Sequence, residues 1–229
     1  QKLTSAITKC DFCMDNPVMP KHLMVSVGIK TVLMLPTGES MTPNQCLIVP
    51  MAHVVAINEL DEDVQDEIKI CKKYLTKMFN RIDMDCVFME TAMRFKRQRH
   101  AVLECVPMGR EEGEIAPMCF KKAMNESMSE WGANKKIITT RNGAKCPIPK
   151  GFPYFHVEFG VDGGFANPID NEEKFNHFFG KEIVGGMLDL EPRTWLKWHK
   201  ESFEKQKRKV IEFSKLWQPF DWTQTLGDD

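Results

Sequence analysis

Apolar residues along this chain follow two different periods. Leu23 to Val27 and Val32 to Leu35 are short apolar runs joined through Gly28, and Gln45 to Pro50 is a third run closed by proline. Runs of this length, bounded by Gly and Pro, predict a hairpin followed by another strand. From Glu59 the period lengthens, and Val64, Ile68, Leu75, Met78, Phe79 and Ile82 recur at helical steps. That pattern predicts an amphipathic helix of about 20 residues. Asp61, Glu62 and Asp63 stand at its start, where carboxylates suit the helix dipole, and Lys72, Lys73 and Lys77 lie further along. Cys86 to Glu90 and His100 to Pro107 return to strand character. The order hairpin, strand, helix, strand, strand predicts an α+β fold, a mostly antiparallel sheet with one long helix packed on it.

The second half begins differently. Met108 to Glu114 is polar and contains glycine, which predicts a boundary between a module at 1–110 and a second α+β module at 111–229 packed against it. A helix is expected over Phe120 to Trp131. The Pro/Gly stretch Cys146 to Pro153 then feeds a strand, Tyr154 to Phe159, followed by the Gly-rich segment Gly160 to Phe165. Trp195, Trp198, Phe203, Val210, Phe213 and Trp217 give Arg193 to Trp217 a helical pattern, with its tryptophans read as core.

Charge narrows the partners. The formal net charge is −1, which excludes coating nucleic acid through bulk charge, so any RNA contact must come from local basic patches. Arg94, Lys96, Arg97 and Arg99 form one such patch, with Phe95 and Gln98 interleaved. Clusters of this kind neutralise phosphates while an aromatic stacks on a splayed base. Lys205, Lys207, Arg208 and Lys209 form a second group, read as a solvated helix face. No apolar run approaches the roughly 20 residues that span a bilayer, so no membrane is expected. Gln1 to Lys9 has neither an initiator Met nor a signal-peptide core, which reads as a piece of a longer chain.

Two of the eight cysteines stand apart. Cys46, Cys71, Cys86, Cys105, Cys119 and Cys146 are scattered, mostly among apolar neighbours, and read as buried free thiols of a reducing compartment. Cys10 and Cys13 form a C-x-x-C pair, whose two thiolates can share one zinc ion if two further ligands converge on it. His22, His53 and His100 are the candidates. His53 and His100 sit at element ends, where distant segments can meet, while Pro20 and the following strand direct His22 elsewhere; this favours His53 over His22.

The order Cys10-x-x-Cys13, Cys46 to His53, a long helix and then His100 resembles the histidine-triad superfamily. In its zinc-containing members, such as galactose-1-phosphate uridylyltransferase, a C-x-x-C pair, a His after the strand-Pro element and the first His of the H-x-H-x-H strand hold the metal. Carried over, the resemblance implies structural Zn2+ on Cys10, Cys13, His53 and His100. A closer likeness is to the CwfJ family, carried by Asn16 to His22, Lys181 to Pro192 and Trp217 to Asp221. It implies two tandem C-terminal domains in a nuclear, spliceosome-associated protein of late intron-lariat complexes, related to the debranching machinery. Partners would be spliceosomal proteins and intron or small nuclear RNA within a large ribonucleoprotein assembly.

Histidine-triad enzymes attack phosphate with the middle His of their strand motif. Residues two apart share a strand face, so that position is Val102, which has no nucleophile, and Glu104 follows it. The expected protein is therefore a pseudo-enzyme, a non-catalytic RNA- and protein-binding module of pre-mRNA splicing. A second site remains open: Tyr154, His156 and Glu158 alternate on one strand face, and His156 could serve a phosphodiesterase or nucleotide hydrolase as nucleophile or general base. The alternative is a histidine packed or hydrogen-bonded between the two modules.

Overall fold

The computed structural model describes residues 2–131, 137–141, 143–197 and 199–227. The expected hairpin pairs β1 (Met24–Val27) with β2 (Thr31–Met34), and β3 (Cys46–Pro50) adds to β2. Next in sequence come β4 (Met84–Ala92) and β5 (Leu103–Gly109), then β6 (Ile138–Thr140), β7 (Tyr154–Phe159) and β8 (Gly164–Pro168). All eight form one antiparallel sheet in the order β1-β2-β3-β5-β4-β7-β8-β6. The two halves are joined edge to edge within it, because β4 pairs with β5 on one side and with β7 on the other.

Register assigns the two faces. Met89 lies opposite both Glu104 and Val157, and Phe88 lies opposite both Cys105 and Glu158. Neighbouring residues of a strand point to opposite sides. Phe88, Glu90, Cys105, His156 and Glu158 therefore share one face, and Met89, Glu104, Phe155 and Val157 the other. The first face is covered by α2 (Glu62–Arg81), whose Val64, Ile68, Leu75 and Phe79 pack with Phe88, Cys105, Phe213 and Trp217. Over the second face lie α3 (Arg110–Trp131) and α4 (Phe179–Met187), where Phe120 and Phe179 pack with Met89, Phe155 and Val157. A short α1 (Lys2–Thr8) precedes the sheet. Among the described residues no helix is long and apolar enough to cross a membrane.

Three expectations need correction. The strand expected from His100 begins at Leu103, because Ala101 N–H donates to Val54 O at 2.7 Å, tying this stretch to the loop after β3. The helix expected from Phe120 starts at Arg110, directly after β5, and Arg110 Nη1 anchors it to Asp85 at 2.6 Å. The single helix expected over 193–217 is two, α5 (Arg193–Leu196) and α6 (Phe203–Trp217). Trp195 packs with the cluster on one face of the sheet, Phe213 and Trp217 with the cluster on the other, so the chain must cross between them. Ser202 then caps α6, accepting from Lys205 N–H at 3.4 Å. Trp198 lies outside the described residues. Gly160 to Phe165 forms the β7–β8 turn and the start of β8. A Cβ on Gly164 would stand 1.8 Å from Val157 O, which explains the glycine.

The β4–β7 seam buries a carboxylate. Glu90 faces His156 across the pair, Tyr154 OH donates to Glu90 Oε2 at 2.5 Å, and Ile57 N–H donates to Oε1 at 2.8 Å. Burial pushes the Glu90 carboxyl up to about 7, and the charges of Glu158 and Glu59 add to this against the opposing hydrogen bonds. A folded pKa above the unfolded one means that the native state holds the extra proton, so stability is lost as pH rises through about 7. Between pH 6 and 8 this group should cost about 1 kcal/mol. Urea unfolding of Glu90→Gln should lack that loss; an unchanged slope would show that Glu90 titrates normally.

Candidate metal centre and the cleft beside it

The segment from Cys10 to Met19 is a chain of tight turns. Cys13 N–H donates to Cys10 O, Asn16 N–H to Cys13 O and Met19 N–H to Asn16 O, at 3.1 to 3.3 Å. Buried Asn16 locks them, giving Nδ2–H to Cys10 O at 2.9 Å and accepting Val18 N–H at 3.1 Å. Phe12 N–H points at Cys10 Sγ, 3.4 Å away. Both thiols are thereby turned toward the loop after β3 and the segment before β5.

Two histidines meet them there. Cys13 Sγ lies 3.1 Å from His53 Nδ1 and 3.4 Å from His100 Nδ1, and Cys10 Sγ lies 3.5 Å from His100 Nδ1. All four ligand atoms lie within 4.8 Å of one another. Bond lengths of about 2.3 Å to sulfur and 2.0–2.1 Å to nitrogen in a tetrahedron place ligand atoms roughly 3.3–3.8 Å apart, so the set fits zinc with little movement. The other ring nitrogens reinforce the fit. His53 Nε2 lies 2.9 Å from Gln98 O and His100 Nε2 2.8 Å from Pro50 O. A carbonyl only accepts, so each Nε2 carries the proton and each Nδ1 lone pair faces the thiols. Burial, with the His53 charge adding, lowers His100 to about 4, which keeps it neutral as a ligand must be. Burial, then Cys10 and Asp15, raises the Cys13 thiol to about 12. A divalent cation between the ligands is what would favour its thiolate. His22 is elsewhere, with Nε2 2.7 Å from Gln206 Oε1 and its ring against Phe203 of α6.

The basic loop hangs from this centre. Arg94 and Gln98 take left-handed conformations around a 3-10 turn at Phe95–Arg97, and Gln98 supplies the carbonyl that orients His53. Lys96, Arg97 and Arg99 are exposed and Arg94 is half-buried. Phe95, expected to stack on a base, instead packs against the buried cluster of Ala56, Ala92, Ile148, Tyr154 and Ala166. Of the second basic group, Lys205, Lys207 and Arg208 are exposed, while Lys209 pairs with Glu201 and donates to Gly38 O at 3.1 Å, holding α6 to the β2–β3 loop.

A cleft opens beside the centre on the face shared by Val102 and Glu104. A cavity of about 190 Å3 is lined by Arg99, His100, Val102, Glu104, His177 and Lys181. Lys181 Nζ binds Glu104 Oε1 at 2.9 Å across it, so the carboxylate on this face is paired. Gly180 makes this possible: a Cβ there would meet Met89 Sδ at 2.8 Å and the Phe155 ring at 2.9 Å, so α4 lies close on the sheet. Arg99 Nη1 lies 3.2 Å from His177 Nε2, which accepts, since arginine only donates. Burial, and then Arg99, Lys181 and Arg94, hold this imidazole below its ordinary pKa.

Tyr154, His156 and Glu158 do come together, but on the opposite face, under α2. They are 0, 8 and 6% exposed around a cavity of about 40 Å3, room for water only. Glu158 pairs with Lys72 at 2.5 Å. His156 Nε2 is 3.4 Å from Thr140 Oγ1, and burial, with Lys72 adding, lowers its pKa. The scattered cysteines are free, four of them buried and Cys119 and Cys146 half-buried. Sequence reasoning missed His177 and Trp195 as cleft residues. Lys181 did stand within a stretch that carries the family resemblance, but nothing local reveals its partner.

Two family models match the chain in succession. A family model described as protein similar to CwfJ C-terminal matches residues 1–121, and one described as protein similar to CwfJ C-terminus 2 matches residues 130–223. One match ends and the other begins within α3, with residues 122–129 between them. CWF19-like protein 2 of Danio rerio is 49% identical over 226 residues, covering 98% of this chain and 24% of that protein. The Homo sapiens CWF19-like protein 2 is 47% identical over 226 residues, 98% of this chain and 25% of its own length. Pre-mRNA-splicing factor cwf19 of Schizosaccharomyces pombe is 28% identical over 238 residues, 100% of this chain and 37% of that protein. The chain thus spans about a quarter to a third of these relatives, and it belongs to the family defined by the two CwfJ C-terminal domains.

Proposed function

We propose that this chain is a non-catalytic, zinc-stapled RNA- and protein-binding module of the spliceosome, acting in the nucleus at late intron-lariat stages. The observation that carries the reading is the pairing of an assembled Cys10–Cys13–His53–His100 frame with Val102 where a triad enzyme would hold its nucleophile. Valine can neither attack phosphorus nor relay a proton. The splicing role is supported by a relative named as a pre-mRNA-splicing factor, and partners would be spliceosomal proteins and intron or small nuclear RNA. The alternative, a hydrolase using His156, is disfavoured by that residue's burial under α2.

With two sulfur and two nitrogen ligands the zinc would have no open position, which makes it structural. It would hold together three segments far apart in sequence: the Cys10–Cys13 turns, the loop at His53 and the segment at His100. Through His53 and Gln98 O it would also brace the loop that carries Arg97 and Arg99. That loop would meet phosphates.

Metal analysis of the purified chain should find about one zinc per molecule. Cys10→Ser should lose most of it and melt at least roughly 5 °C lower, given the coupling of metal binding to folding. Full metal content in Cys10→Ser would remove Cys10 from the ligand set. In RNA titrations across salt concentrations, Arg97→Glu with Arg99→Glu should weaken binding. It should also flatten the slope of log K against log salt by roughly 1.4, about 0.7 for each lost phosphate contact. An unchanged slope would place RNA elsewhere. Incubation with a 2′–5′ branched RNA should give binding without product; cleavage would overturn the non-catalytic reading.

A further inference from the structure

The long helix α2 sorts its charges by sign. Its carboxylates, Glu62, Asp63, Asp66 and Glu67, all precede Ile68, and each has a partner: Lys145, Lys30, Lys69 and the Thr31 hydroxyl. From Ile68 onward every charged residue is a cation: Lys69, Lys72, Lys73, Lys77 and Arg81. Lys72 is taken by Glu158 of β7. The other four recur at every fourth position and form a row whose members stand about 6 Å apart along the helix axis. Lys73, Lys77 and Arg81 are exposed, and among the described residues none of the three has a carboxylate partner.

The helix dipole accounts for only one of these cations, because it favours positive charge in the last turn, which holds Arg81. Like charges four residues apart repel, so the row weakens the helix that carries it. Beside the row lies a groove of about 320 Å3 between Lys69, Ile70 and Lys73 of α2 and a wall of Gly143, Gly160 and Val161. The Lys72–Glu158 pair also lines it, so its carboxylate is already matched. Asp162, next in the same turn, lines the neighbouring cavity instead. Ile70 is 41% exposed, an aliphatic surface among lysines. No aromatic ring lines the groove. Two rings beside the row carry its own cations: Lys77 Nζ is 5.2 Å from the centroid of Tyr74, and Arg81 Cζ is 5.9 Å from that of Phe220.

We propose that this face of α2 docks an acidic segment of a partner protein, its carboxylates on Lys73 and Lys77 and an aliphatic side chain between them against Ile70 and Val161. The proposal rests on the reading of the chain as a protein-binding module, and adds the surface and the chemistry of the partner. Unpaired cations select for carboxylates, and the exposed isoleucine between them gives the contact an apolar centre. An RNA strand would find its phosphates neutralised here but no free ring on which to stack its bases. None of these residues belongs to the loop at Arg97 and Arg99, so the two contacts can be tested apart.

The test uses the intact zinc-loaded chain and a fluorescein-labelled peptide of repeated Glu-Glu-Leu, with a Gln-Gln-Leu peptide and polyuridylate as controls. Lys73→Glu, Lys77→Glu and Ile70→Asp should each weaken binding of the acidic peptide by about fivefold or more. All three side chains are exposed, so melting temperature should stay unchanged. Carbodiimide coupling of the peptide bound to the unaltered chain should join its carboxylates to Lys73 and Lys77, as read by mass spectrometry. The Gln-Gln-Leu peptide should bind more weakly, and polyuridylate affinity should not respond to the three variants. No binding of the acidic peptide, or equal binding by the unaltered chain and the lysine variants, would overturn the proposal. A loss of polyuridylate affinity as large as that of the peptide would make the row a phosphate track and overturn the acidic segment. Co-sedimentation with purified spliceosomes scores the underlying reading. Loss of co-sedimentation on combining Lys73→Glu with Lys77→Glu supports the proposal. If that variant co-sediments as the unaltered chain does, this surface is overturned and the protein-binding reading stands; if the unaltered chain does not co-sediment, both fall.

Discussion

The whole arrangement depends on β4 being paired on both sides. Its ladder with β5 fixes Glu104, two residues after Val102, relative to the long helix, and its ladder with β7 brings the second half into the same sheet. A strand with both edges satisfied leaves no backbone group for a linker to protect, so the two halves cannot hinge at this seam without breaking hydrogen bonds. Two independent apolar clusters, one per face, then clamp it. The cleft exists because α4 comes from the second half and faces β5 from the first.

The family stretches in the chain each have a physical task in this arrangement. Asn16 locks the cysteine turns. Gly185 lets α4 approach Trp195, Gly180 just before the stretch lets α4 approach the sheet, and Lys181 reaches Glu104. Asp221 accepts from Ser26 Oγ at 2.9 Å, fastening the end of the chain back onto β1. None of these contacts requires chemistry at a substrate; they hold a surface in place.

Much of this was legible in the sequence because the signals were local or periodic. The strand runs, the long helix, the C-x-x-C pair and the histidines at element ends all came from spacing, and the family resemblance joined the last two into one ligand set. What failed was long-range. Phe95 stands among arginines in sequence, yet it packs against a cluster that draws Ala56, Ile148, Tyr154 and Ala166 from distant segments, which no local pattern announces. The apolar period of 193–217 continued through a break because Trp195 and Phe213 serve opposite faces of the sheet. His177 meets Arg99 only through the β4–β7 seam, so its place in the cleft could not be read before that pairing was known.

The central claim is that the metal centre holds an RNA-binding surface rather than a reactive one, through the contact from His53 Nε2 to Gln98 O. The most direct measurement is the affinity of the chain for a short single-stranded RNA before chelation, after it, and after zinc is returned, with circular dichroism followed throughout. The account predicts that affinity falls at least tenfold when zinc is removed while most strand signal remains, and that zinc restores it. Affinity unchanged in the zinc-free chain, with the sheet intact, would contradict it.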